Sequence, residues 1–145
     1  MFTTAPMSSG AVHSSVRRWL RLEGLMGFLL ATYLYAHQGG SWLVFAVLFF
    51  APDASFAGYL AGPRIGTALY NVGHSYVGPL ILAAAWLSAG VGLPFALVWA
   101  AHIGFDRALG YGLKYPSAFG DTHLGRIGQL AAVANSTRES PVSSS

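Results

Sequence analysis

The chain has 145 residues, of which 54% are hydrophobic and 9% charged, with a mean hydropathy of +0.51. A soluble domain carries roughly 25% charged residues, so this composition excludes an ordinary water-facing surface and points to a lipid-facing one. The net charge of +3 is too small to suggest nucleic acid as a partner, and the lack of cysteine excludes disulfides and thiolate metal sites.

Residues 1–15 are rich in Ser, Thr and small residues, without an apolar period, and are expected to form a disordered lead. Val16-Arg17-Arg18-Trp19-Leu20 then opens an apolar run that reaches Ala36. A secretory or twin-arginine signal is the alternative reading of such a basic start. Glu23 interrupts the run, however, no small-x-small cleavage site follows, and further apolar segments come after it. The first helix is therefore read as a retained span. His37-Gln38-Gly39-Gly40-Ser41 is a turn, broken by its two glycines.

Trp42 to about Ala61 reads as the second span, although it contains Asp53. A central Asp costs roughly 2.5–3.5 kcal/mol on an insertion scale, and each Leu, Ile, Phe or Val returns roughly 0.3–0.6. Leu43, Val44, Phe45, Val47, Leu48, Phe49, Phe50, Phe56 and Leu60 together offset one Asp, which is then expected to face the bundle interior. Gly62-Pro63 marks a turn, and Arg64 to about Leu87 forms the third span, with Pro79 the expected kink. After a turn at Ser88–Gly92, Val91 to about Tyr111 forms the fourth span, carrying His102, Asp106 and Arg107. A Gly-rich polar segment follows. Ile127–Ala134 reads as a short surface helix and Asn135–Ser145 as a loose tail, so the domain is placed at 16–128, with 129–145 as short helix and tail.

Orientation follows from Lys and Arg. Arg17, Arg18 and Arg21 open the first span, Arg64 lies between the second and third, and Arg107, Lys114, Arg126 and Arg138 lie at or beyond the fourth. These are all 8 basic residues of the chain, and every one falls on the same side of a four-span bundle. Both termini are expected in the cytoplasm.

At a rise of about 1.5 Å per residue, Glu23, Asp53, His74, His102 and Asp106 all fall in the cytoplasmic half of the bilayer. Asn71 and His74 share a helix face at i, i+3, and His102 and Asp106 share one at i, i+4. Imidazoles and carboxylates on facing helices are a common way to build a metal site in a bundle core, and ionisable groups inside a membrane are functional by default. The functional reading makes Asp53, His74, His102 and Asp106 ligands of one divalent Zn, Fe or Mn ion, with Glu23 a further ligand or a general base. The bland reading is a structural network that fixes helix register, with Arg64 or Arg107 neutralising Asp53 or Asp106. The spacing matches no specific metal motif. His123 is read as a surface-loop residue, with folding back toward the site as the alternative.

The segments Asp53-Ala54-Ser55, Tyr70-Asn71-Val72-Gly73-His74, His102 to Pro116, and Phe119-Gly120-Asp121-Thr122-His123-Leu124-Gly125 together resemble the bacterial membrane family named domain of unknown function 4260. The resemblance covers roughly Arg17 to Gly128, with His102–Pro116 its most specific part. It implies a small multi-span bacterial membrane protein and supplies no catalytic residues.

The sequence thus predicts an all-α integral membrane bundle of four transmembrane helices in the bacterial inner membrane, with the lipid bilayer as its partner. The leading expectation for function is a metal-dependent hydrolase acting on a membrane-associated substrate. A non-enzymatic scaffold is the alternative. A small proton-coupled transporter is third, and with so few spans it calls for a homo-oligomer.

Overall fold

The computed structural model describes residues 14–116 and 121–126. Of the lead expected at 1–15, residues 1–13 lie outside them and Ser14 and Ser15 begin the first helix; the helix and tail expected from Ile127 on also lie outside. In chain order the elements are α1 (Ser14–His37), α2 (Trp42–Phe49), a 3-10 helix (Ala51–Ala61), α3 (Pro63–Gly73), α4 (Val77–Ala89) and α5 (Leu93–Leu109). A minimal antiparallel hairpin of β1 (Asp121–Thr122) and β2 (Gly125–Arg126) follows. The described fold is otherwise all helical.

α1 and α5 run antiparallel and make the most extensive helix pairing of the bundle. Glycines permit the close approach. A Cβ at Gly104 would lie 2.5 Å from the Phe28 amide nitrogen and 2.8 Å from the Gly24 carbonyl, so neither helix leaves room for a larger residue. Arg21 Nε donates to the Ala108 carbonyl at 2.8 Å, which places the start of α1 beside the end of α5. The basic residues Arg17, Arg18, Arg21 and Arg107 therefore gather at one end of this pair.

The expected second span is helical throughout but changes pitch. Pro52 sits at the start of the 3-10 helix, and Asp53 N–H donates to the Phe50 carbonyl at 3.1 Å, three residues back. A 3-10 helix has three residues per turn, so side chains three apart eclipse. Asp53, Phe56 and Tyr59 consequently share one face, toward α3, while Leu60 points away and is 93% exposed.

The expected third span is two helices. α3 ends at Gly73, and α4 begins at Val77 at an angle of 42° to it. The break falls at His74–Tyr76, upstream of the expected kink at Pro79. Pro79 is the third residue of α4, where a missing N–H needs no partner, and its ring disfavours a helical turn before it. α5, the expected fourth span, starts at Leu93, with Pro94 in its first turn, and stops at Leu109 on the left-handed cap Gly110 (φ 98°).

Among the described residues one helical stretch, Trp42–Ala61, is long and apolar enough to cross a membrane; the bent pair α3–α4 is a second when counted as one span. α1 carries Arg17, Arg18, Arg21 and Glu23 in its first half, and α5 has 17 residues.

Candidate metal centre

His74 is set at the point where α3 stops. Its ring stacks on Tyr70, one turn earlier, with centroids 3.9 Å apart. Its Nδ1 lies 2.9 Å from the Tyr70 carbonyl, so Nδ1 carries the proton and donates it there. Nε2 is left as a lone pair facing into the bundle. The carbonyls freed by the helix break are taken up by α5: Trp99 Nε1 donates to Gly73 O at 2.6 Å, and Arg107 Nη2 donates to His74 O at 3.0 Å. The break is thereby a fixed feature that aims His74.

α5 supplies the opposing imidazole. His102 packs edge-on against Phe49, with ring centroids 5.2 Å apart, and Phe49 in turn meets Phe28 and Phe105. Its Nδ1 has no hydrogen-bond partner among the described residues. Its Nε2 lies 3.3 Å from Nε2 of His74. His74 is 1% exposed and His102 3%.

Two carboxylates close on this pair. Asp53 Oδ1 lies 3.4 Å from His74 Nε2 and 3.6 Å from His102 Nε2. Asp106 Oδ2 lies 3.5 and 3.7 Å from the same two atoms. Asp53, His74 and His102 each offer a ligand atom within 4.8 Å of the others, so this group could hold a metal ion. Nitrogen ligands about 2.0–2.1 Å from a tetrahedral ion sit about 3.3–3.4 Å from one another, which is the spacing of the two imidazoles. The Asp53 side chain is 39% exposed, so the group is buried on its histidine side and open on its Asp53 side.

The structure thus brings Asp53, His74, His102 and Asp106 together. It does not bring Glu23 to them. Glu23 lines a separate cavity with Tyr76, Arg107 and His123. Asn71 does not join either, although it shares a helix face with His74 in the sequence. Its side chain brackets the backbone of Lys114, accepting from N at 2.8 Å and donating to O at 2.9 Å. Among the described residues neither Arg64 nor Arg107 forms an ion pair with Asp53 or Asp106; the close ionic contacts of both carboxylates are with the imidazoles. His123 is not a free surface-loop residue: it is half-buried, and its Nδ1 accepts from Leu113 N–H at 2.9 Å.

Sequence reasoning missed Tyr70 and Trp99 as the groups that orient His74. Tyr70 stands at i−4 from His74, a spacing that puts its carbonyl and ring against the imidazole. Trp99 carried no such signal, because its role exists only through the packing of α5 on the helix break. It also missed Lys114, which is 5% exposed and whose Nζ lies 4.4 Å from the Tyr70 ring centroid and 4.5 Å from that of Phe56.

A family model described as Domain of unknown function (DUF4260) matches residues 17–127. The chain belongs to that family, as the resemblance of its motifs implied. No curated protein and no solved structure matches the chain.

Proposed function

We propose that this member of the DUF4260 family is a multi-pass protein of the bacterial inner membrane that holds one divalent ion (Zn, Fe or Mn) between His74, His102 and Asp53, with Asp106 beside them. The observation that carries the proposal is the pair of buried imidazole nitrogens 3.3 Å apart. His74 Nε2 is a lone pair, because its other nitrogen donates to Tyr70. A second lone pair at that distance would repel it, and the flanking carboxylates add negative charge. A cation at the centre turns each of these contacts into an attraction. The Tyr70 carbonyl behind Nδ1 is the kind of outer partner that fixes a ligand histidine.

The membrane setting is supported by the surface. Leu60 and Leu87 are 93% and 80% exposed, and the Trp42–Ala61 segment is 6% buried. An apolar exterior of this extent has no water-facing explanation in a monomer. α1, α2 with its 3-10 continuation, the α3–α4 pair and α5 then cross in turn, with both termini on the cytoplasmic side. A bound ion would lower the pKa of a water on its open side, and Asp106, beside the three ligands, would be the carboxylate to take a proton from it. Hydrolysis of an ester or amide in a membrane-associated substrate follows as the activity.

A second reading rests on the same distance. If His102 Nε2 carries its proton, it donates to His74 Nε2, and the four side chains form a structural network without an ion. His102 Nδ1 has no partner in either tautomer, as an acceptor here and as an N–H donor when Nε2 holds an ion, so it does not separate the two readings.

Metal content of the protein purified in mild detergent decides between them. The metal reading expects one ion per chain, lost in both Asp53→Asn and His102→Ala while the bundle stays folded. A metal-free wild type, with Asp53→Asn at least as stable, rejects it in favour of the network. Reporters fused after Ser145 and inserted near Gly39 test the topology: the first should lie in the cytoplasm and the second outside.

A further inference from the structure

A cavity with several polar side chains in its lining lies at the basic end of the α1–α5 pair. It has a volume of about 360 Å³ and is lined by Glu23, Gly24, Gly27, Tyr76, Arg107 and His123 among others. That volume falls in the range of about 300–1,000 Å³ usual for small-ligand sites. The centre described above uses Arg107 only as a donor to the His74 backbone and leaves Glu23, Tyr76 and His123 without a role.

Three of the lining residues are hydrogen-bond donors. Arg107 gives Nη1 to Tyr111 O and Nη2 to His74 O, both at 3.0 Å. A guanidinium has five N–H groups, so several remain for a ligand. His123 accepts at Nδ1 from Leu113 N–H, which fixes the neutral ring in the tautomer with Nε2–H as donor. The Tyr76 hydroxyl lies 3.1 Å from where a Gly27 Cβ would stand, so the absence of a side chain at Gly27 opens the space in front of it. Among the described residues lining the cavity, Glu23 supplies the only carboxylate. Among the described residues it makes no ion pair with Arg107, although both face the same space. Opposite charges that line one cavity without touching suit a ligand that carries both signs.

We infer that this cavity binds a phosphoethanolamine group, with its phosphate against Arg107, His123 and Tyr76 and its ammonium against Glu23. Arg offers planar paired donors that match phosphate oxygens, and a carboxylate is the natural acceptor for a primary ammonium. The same end of the pair carries Arg17, Arg18 and Arg21, which places the cavity at headgroup level in the membrane orientation proposed above. The headgroup of a bilayer aminophospholipid and a free phosphoethanolamine share this chemistry.

The test is native mass spectrometry of the full-length protein in micelles containing equal amounts of phosphatidylethanolamine, phosphatidylcholine and phosphatidylglycerol. The wild type is expected to retain the ethanolamine lipid in preference to the other two. Glu23→Gln keeps the shape of an exposed side chain and removes its charge. It should lower ethanolamine-lipid retention about tenfold, as for loss of one charge-assisted hydrogen bond, and leave phosphatidylglycerol nearly unchanged. Tyr76→Phe should weaken the ethanolamine and glycerol lipids alike. Competition by free phosphoethanolamine identifies the soluble source, and retention of the lipid despite it identifies the bilayer source; the inference stands in either case. Equal retention of the three lipids by the wild type would overturn it. So would an ethanolamine preference that survives Glu23→Gln. Unchanged thermal midpoints of both variants show that the bundle is intact, and metal content read on the same samples keeps the outcome separate from that of the metal centre.

Discussion

Gly104→Ala probes the contact that holds α5, and with it His102 and Asp106, in place. The new Cβ would lie 2.5 Å from Phe28 N, 2.8 Å from Gly24 O and 3.0 Å from Phe28 Cα, where ordinary contacts are 3.4 Å or longer. All three atoms are backbone of α1, so no side chain can swing aside. The helices must part by about 1 Å, and overpacking of this kind costs about 1–3 kcal/mol. Alanine returns up to about 1 kcal/mol through its better helix propensity. Three backbone clashes put the cost at the upper end of its range, so a net loss of about 1–2 kcal/mol should lower the thermal midpoint by roughly 2–8 °C for a domain of this size. Gly27→Ala is the control, because its Cβ would meet only the Tyr76 hydroxyl, at 3.1 Å, the far end of a side chain that can turn. It should be neutral or slightly stabilising. Differential scanning fluorimetry of the three proteins in the same detergent makes the comparison. A Gly104→Ala variant as stable as the wild type would refute the close α1–α5 packing.

Further outcomes follow from the groups around the site. Lys114→Met keeps the length of the side chain but removes the charge that sits 4.4 Å from the Tyr70 ring and 4.5 Å from the Phe56 ring; chemical unfolding should show a loss of about 1–2 kcal/mol. Asn71→Ala frees the backbone N–H and C=O of Lys114 and should cost about 1–3 kcal/mol in the same assay, with metal content retained. Burial, with the Arg107 charge as a smaller cause, holds the His123 imidazole below its ordinary value of 6.5. The folded state then binds fewer protons than the unfolded one as pH falls past that value, so the His123 contribution to stability is present at neutral pH and lost in acid. Ring nitrogen NMR should show His123 neutral at neutral pH. The Leu113 amide signal should shift in acid together with the ring, because an imidazolium has no lone pair at Nδ1 to accept it.

The polar group was legible in the sequence because the cost of burying Asp and His in an apolar segment forces them inward. Depth along each helix then aligned Asp53, His74, His102 and Asp106. Glu23 fits the same depth argument and yet lies elsewhere, since depth does not specify the angle around a helix. The change of pitch after Pro52 was not legible. A 3-10 and an α-helical run share the same apolar composition, and only the packing of Phe56 and Tyr59 on α3 shows the shorter repeat. The break at His74 was misplaced to Pro79 for a related reason. A proline only disfavours a helical turn before it, and what fixes the break is Trp99 and Arg107 reaching from α5, some 26 and 33 residues away.

X-ray absorption on the zinc-loaded protein in mild detergent tests the central claim most directly. The structure predicts a first shell of low-coordinate nitrogen and oxygen at about 2.0–2.1 Å, with the outer-shell scattering of two imidazoles. His74→Ala should reduce the imidazole signal to one ring. A protein that takes up no ion, or an oxygen-only shell that is the same in wild type and His74→Ala, would contradict the account.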